Sequence, residues 1–394
     1  MNKKIKLSFF AFALVVLAGS FTSCEKEQKI ADTSNSEELK AINKQYVNNV
    51  VLPTYASLTD ETIKLYEALK TLKGSKTDAN VKAAADLWKS SRVFWEESEA
   101  FLFGPVDQLG VDPHIDTWPM SVSAFNDQVS QENFINSINN EDGDKAISVV
   151  NNDDGVLGFH CIEYILFRDG AVRKASAINE NELIYAVAAA GDLRNQCSLI
   201  ELGWLGESIS AEKLGYAKRS NNYDALNSGT NEDGDKVIAN FAKVMTETPN
   251  ATMTSALLST EEILDGCFTI ADEVATAKIG KPYNGASDED KNYIESQFSH
   301  NSIVDFAGNI RSIENAYLGG LPGKRGKSVS EYVKSKDSSL DTQIKASITD
   351  VIAKIDAIKN FEINAQENAQ VKAAMEACIE LGELLEDAKV AIRD

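Results

Sequence analysis

The residues with the clearest chemical potential are a histidine and a glutamate three positions apart, in Gly158-Phe159-His160-Cys161-Ile162-Glu163. On a helix, positions i and i+3 share a face, so His160 and Glu163 can present an imidazole nitrogen and a carboxylate to one point. That is half of a metal site, of the kind helical bundles build from Glu-x-x-His pairs. Gly158 lacks a side chain near the start of this helix and lets another segment come close. The apolar flank Ile162, Ile165, Leu166 and Phe167 argues for burial, where an uncompensated charge is costly. Spacing alone leaves a plainer reading open, a His–Glu hydrogen bond inside a core. Cys161 lies about 100° around the helix from His160 and is expected to pack.

Two further groups carry polar residues at helical spacing. Arg92, Trp95, Glu96 and Glu99 line one face of a segment that stops at Phe103-Gly104-Pro105, and such a stripe reads first as solvated surface. A loop follows that contains Asp112, His114, Asp116 and Trp118. Ser302, Asp305 and Asn309 share a face beside Gly308, which suggests a close helix contact around a polar site.

Other chemistries lack their residues. The chain has three histidines, His114, His160 and His300, and none stands in H-E-x-x-H. Tyr164 after Glu163 breaks the inverted H-x-x-E-H, and no G-x-S-x-G occurs. Gly320 to Ser328 has one residue too many for a phosphate-binding loop and reads as a basic surface loop. The repeated Asn-Glu-Asp-Gly-Asp-Lys at 140–145 and 231–236 lacks the calcium-loop register; Asp144 and Asp235 read as helix N-caps. No catalytic residue is assigned.

The elements that must position these groups are helices. Apolar residues recur near 3.6 spacing over 38–72, 80–103, 181–205, 255–277, 288–318, 340–360 and 365–392. Pro53 should kink or break the first. Strand alternation is nearly absent, so the class is all-α, as antiparallel helical bundles. A chain of 394 residues has a soft prior of two domains, and the polar stretch 218–235 is the best boundary. That gives helical domains at 37–222 and 223–394. Ala100-Phe101-Leu102-Phe103-Gly104 and Ala316-Tyr317-Leu318-Gly319-Gly320 each close a long helix, a short shared pattern that fits a distant duplication or chance.

The net charge of −21 disfavours nucleic acid and favours cations. The N-terminus reads as an address. Lys3, Lys4 and Lys6 precede the apolar run Leu7–Gly19, which is too short for a membrane span of about 20 residues. With Ser23-Cys24 it resembles a bacterial lipoprotein signal, which implies a signal peptide at 1–23 and lipidation of Cys24. Residues 24–36 then form the lipidated cysteine and a polar tether. The mature body is expected in the bacterial cell envelope, periplasm-facing or outer-membrane associated, touching the membrane only through its lipid. Cys161, Cys197, Cys267 and Cys378 are too widely spaced for a C-x-x-C pair and leave disulfides and buried thiols both open.

Taken in order, these motifs resemble the imelysin family. Gly158, His160 and Glu163 match its G-x-H-x-x-E. Arg92, Trp95, Glu99, Phe101, Phe103, Gly104 and Pro105 match its upstream helix, and Ile115-Asp116-x-Trp118-Pro119 its following loop. Ser302, Asp305, Gly308, Asn309 and Tyr317-Leu318-Gly319 match a later helix, and Gly326-Lys327-Ser328-Val329-Ser330 a further segment with Val for Leu. The resemblance implies an all-helical, two-domain protein whose motif residues gather between domains, and envelope relatives that serve iron uptake. It implies a metal ion, iron ahead of zinc or manganese, held by His160, Glu163 and Glu99. Asp116, Arg92, Ser302, Asp305 and Asn309 would be further ligands or supports. Components of an iron-transport system are the implied partners. A metallopeptidase, the family's historical label, and a scaffold that binds another envelope protein are the alternatives.

Overall fold

The computed structural model describes residues 34–394 apart from Glu232. The expected signal peptide, Cys24 and the expected tether as far as residue 33 lie outside the described residues.

The fold is all-α, as the periodicity predicts. Its long helices are α1 (Glu37–Tyr46), α2 (Leu52–Gly74), α3 (Asp78–Glu96), α4 (Gly158–Leu166), α5 (Glu180–Leu205), α6 (Ala256–Glu273), α7 (Ser302–Tyr317), α8 (Ser338–Asp356) and α9 (Ala369–Ala391). The one strand pair among the described residues is a hairpin after α4, in which Phe167 faces Val172 and Arg168 faces Ala171. No described helix is long and apolar enough to cross a membrane.

In the first half, α2 packs against both α3 and α5, and α4 lies across α3 and α5. In the second, α6, α7, α8 and α9 form a bundle, and α3 packs on α7 to join the halves. Helix α1 also crosses over: Asn43 Nδ2 donates to Ala256 O at 2.8 Å, and Thr260 Oγ1 donates to Asn43 Oδ1 at 2.9 Å.

Local sequence explains the helix starts. Asn179 and Glu182 close a reciprocal cap on α5, with bonds of 2.9 and 2.8 Å. Helix α5 is buried nearly all round, from Leu183 to Trp204, because elements cover it on several sides. In α9 the period Val371, Cys378, Leu381 and Leu385 faces the core, while Ile379 points out at 44% exposure.

Three local expectations are corrected. Pro53 does not break its helix. A π-helical turn, Val47–Val51, leads into α2, and the carbonyl of Asn49, which Pro53 cannot serve, accepts from Leu321 N at 3.0 Å. The predicted helix over 288–318 is two pieces, Asp288–Lys291 and α7, separated by a segment in which Ser296 and His300 take positive φ. Asp144 and Asp235 are not N-caps. Asp144 sits inside the turn Gly143–Ile147 and accepts from Arg194 at 3.1 Å, Asn195 at 2.9 Å and Arg219. Asp235 precedes the isolated bridge Thr230–Lys236, and the next helix begins at Phe241. In both places, ion pairing or turn pairing wins over local capping.

Candidate metal centre

The polar stripe on α3 is buried, not solvated: Arg92 and Glu96 are fully covered and Glu99 nearly so. It is covered because α7 crosses α3 at Gly308, where a Cβ would lie 2.7 Å from that of Glu96. Arg92 is the hub. Its guanidinium meets Asp116 and Glu295, lies 2.5 Å from Glu96 Oε1 and 3.5 Å from Asp305 Oδ2, and stacks over Phe159. Burial opposes its charge, but the four carboxylates raise its pKa well above the ordinary value.

Asp116 ends the short turn Val111–Ile115. Its Oδ2 accepts from Trp95 Nε1 at 2.7 Å, and its Oδ1 lies 3.1 Å from His160 Nε2. Burial would lift its pKa, but Arg92 and then His160 hold it well below the usual carboxylate range. Gly158 makes this contact available. It starts α4 at φ +64°, and a Cβ there would stand 1.9 Å from Ile115 O. Only glycine lets α4 seat against the turn that carries Asp116.

His160 Nδ1 lies 3.1 Å from Glu163 Oε2. Burial would lower the imidazole pKa, but the carboxylates of Asp116 and Glu163 push it up to about 9. The other oxygen of Glu163, Oε1, accepts from Phe298 N at 3.0 Å, Ser299 N at 2.8 Å and Ser299 Oγ at 2.7 Å. Glu163 thus ties α4 to the segment before α7.

The remaining groups come from the second half. Asp305 accepts from Asn301 Nδ2 at 2.6 Å and from Ser296 Oγ, and burial followed by the charge of Glu295 pushes its pKa up to about 6 against the pull of Arg92. Asn309 Nδ2 donates to Glu96 Oε2 at 2.5 Å, and Ser302 Oγ donates to Glu295 O. Lys278, at the end of the π-helical turn Val274–Lys278, lies 3.1 Å from Glu295 Oε2 and 3.8 Å from both Glu96 Oε2 and Glu99 Oε1.

Every residue singled out in the sequence for this site therefore lies in or beside one buried cluster: Arg92, Glu99, Asp116, His160, Glu163, Ser302, Asp305 and Asn309, with Gly158 beneath. His114 and His300 stay outside, His114 pairing with Asp192 at 2.7 Å. Sequence reasoning missed Lys278 and Glu295 and did not carry Glu96 into the site. Glu96 had a signal, four positions from Arg92 on one helical face. Glu295 and Lys278 had none.

Two triads have ligand atoms within 4.8 Å of one another, Asp116–His160–Glu295 and Glu96–Glu99–Asp116. Three buried atoms among them make no hydrogen bond: His160 Nε2, Glu295 Oε2 and Glu96 Oε1. Each has only an ion-pair neighbour, Asp116, Lys278 and Arg92 respectively. Carboxylate oxygens together with an imidazole nitrogen, once that ring has lost its proton, suit a first-row transition metal.

A helical body whose two halves meet on a buried cluster of acids, one histidine and two basic side chains defines the class. This chain belongs to the imelysin family, whose profile (peptidase M75, imelysin) matches residues 51–388. It is similar to iron-regulated protein A of Synechococcus elongatus, 28% identical over 70% of this chain and 63% of that protein, so the chain spans under two thirds of that relative's length. Among solved structures, an iron-regulated protein A precursor from Parabacteroides distasonis is 26% identical, with a TM-score of 0.74 over 90% of this chain and 95% of the other. An imelysin-like protein from Psychrobacter arcticum shares the fold at 12% identity, with a TM-score of 0.63 over the same 90% and 95%.

Proposed function

We propose that this protein binds a metal cation, iron, as cargo in the buried cluster and serves iron uptake in the bacterial envelope. His160 Nε2, Asp116 and Glu295 are the ligands in this reading, with Glu96 and Glu99 at hand. The carrying observation is a charge deficit. Among the described residues, Glu96, Glu99, Asp116, Glu163, Glu295 and Asp305 pair with no cation but Arg92, Lys278 and the His160 imidazolium. Burial leaves Glu96 and Glu99 with pKa values well above normal, so protons fill part of that deficit and an incoming cation can replace them. Glu163, its oxygens engaged, orients His160 rather than ligating. Arg92, Ser302, Asp305 and Asn309 hold the acids in place.

Two clefts of about 230 and 430 Å³ share Glu99, Asp112 and Glu273 and give an acidic approach for a cation. Donor chemistry alone admits manganese and zinc. The name of the relative, iron-regulated protein A, supports iron. Envelope residence, anchoring through Cys24 and delivery to iron-transport components complete the proposal. Cys24→Ala should move the protein from the membrane to the soluble envelope fraction; a variant that still pellets with membranes refutes the anchor.

The binding test uses the imidazole. His160 is protonated near neutral pH, and coordination through Nε2 requires the neutral ring. Iron affinity should therefore rise about tenfold per pH unit up to about pH 9, with at least one proton released per ion. Anaerobic calorimetry with Fe²⁺ in buffers of different ionisation enthalpy reads both quantities. His160→Ala, confirmed folded by circular dichroism, should bind far more weakly. Equal affinity in the variant and wild type, or affinity flat with pH, refutes the ligand assignment.

A further inference from the structure

The triad Glu96–Glu99–Asp116 is built like a second cation position, and a cation of the protein's own already stands beside it. The Lys278 side chain is 1% exposed. It comes from the π-helical turn Val274–Lys278, in the half of the chain opposite Glu96, Glu99 and Asp116. Its ammonium lies 3.8 Å from Glu96 Oε2 and from Glu99 Oε1, and 3.1 Å from Glu295 Oε2, an atom of the other triad that makes no hydrogen bond. Lys278 also lines the cleft walled by Asp112, Trp118 and Glu273. Glu99 and Asp116 line it as well and Glu295 does not, so an ion in this cleft shares the space with the ammonium.

We infer that Lys278 is a tethered counter-cation that competes with the incoming metal ion for Glu96, Glu99 and Glu295, and so sets how tightly the ion is held. This rests on the metal-binding reading above. Like charges a few ångströms apart in a buried site repel strongly, so an ion ligated by Glu295 displaces the ammonium or binds weakly beside it. The flexible four-carbon stem lets it withdraw toward the cleft, where Glu273 and Asp112 line the wall. In the metal-free protein the same lysine offsets acid charge that burial would otherwise force to protonate. Affinity is lowered and the metal-free fold is stabilised by one group.

The test compares Lys278→Met and Lys278→Arg with wild type, by anaerobic calorimetry with Fe²⁺ and by thermal melting with and without Fe²⁺. Lys278→Met should bind about tenfold more tightly or better, and Lys278→Arg, which keeps the charge, should stay close to wild type. The metal-free Lys278→Met protein should melt below wild type and gain more from added Fe²⁺ than wild type does. If that variant folds only when Fe²⁺ is present, the inference is supported. If it stays unfolded at saturating Fe²⁺, Lys278 is a structural brace and the inference fails. A folded Lys278→Met protein that binds no more tightly than wild type overturns the inference alone, provided wild type binds and His160→Ala does not. Absence of binding in both wild type and Lys278→Met overturns the metal reading and the inference with it.

Discussion

Arg92→Ala should lower the unfolding free energy by about 3–5 kcal/mol at neutral pH, the usual cost of removing one partner from a buried ion cluster. Part of that loss should return as the pH falls toward about 5. The reason lies in what remains behind. Asp116, Glu96, Glu295 and Asp305 lose the guanidinium they share while remaining buried among one another. Lys278 and His160 stay beside them but leave more acid charge uncompensated than before, which favours protonation in the folded variant, so it gains stability relative to wild type as pH falls. In wild type the sign for Asp116 is opposite. Its folded pKa is depressed, so its contribution is present above the unfolded value near 4 and is lost only in strong acid. Asp305, its folded pKa already raised to about 6, stabilises wild type as pH falls as well, so urea titrations of both proteins at pH 7.5 and 5.5 are read as a difference: the gap between them should narrow at the lower pH. A loss under about 1 kcal/mol, or one that deepens in acid, would show that Arg92 is not the counter-charge of this cluster.

Gly158→Ala should cost about 2–5 kcal/mol and, on the proposed function, weaken metal binding as well. The left-handed backbone at φ +64° costs a β-carbon about 1–2 kcal/mol. Overpacking adds about 1–3 kcal/mol, since the new carbon would stand 1.9 Å from Ile115 O and something must move. What moves is the turn that ends at Asp116, which opens the 3.1 Å approach to His160 Nε2. Gly110→Ala is the control. Gly110 has φ +59°, and no other atom lies within 4 Å of the position a Cβ would take, so it bears the backbone strain without the collision. Chemical denaturation of the two variants should place Gly158→Ala clearly below Gly110→Ala. Equal stabilities would mean that contact with Ile115 does not limit the site.

The parts of this architecture that follow from local rules were readable in the sequence. Periodicity located α5 and α9, and the i, i+3 rule placed His160 and Glu163 on one face. Resemblance added Glu99, Asp116 and Arg92, which spacing alone assigned to a solvated stripe and a loop. What escaped was set by tertiary packing. The stripe on α3 becomes interior only because Gly308 of α7 lies against Glu96, more than 200 positions away. Glu295 sits in a segment that reads as helix but leaves helical geometry at Ser296 and His300. Lys278 turns inward at the end of a π-helical turn, and its sequence surroundings carry no mark of that. Glu163 reads as a metal-facing carboxylate, yet one oxygen faces His160 and the other is committed to two amides and a hydroxyl that no helical rule connects to it.

The cluster also carries a statement about timing. Arg92 and Asp305 are separated by 213 positions, and Glu163 and Ser299 by 136. Contacts this distant along the chain close late, after the local helical hairpins have formed and the two halves dock. Until synthesis has passed residue 299, Asp116 and His160 exist without Glu295, and Glu163 without the amides that fix it. On the proposed function, a half-made protein therefore cannot carry iron away from where it is made. On that reading the ion would be acquired only where folding finishes, which would make loading a property of the place of folding rather than of synthesis.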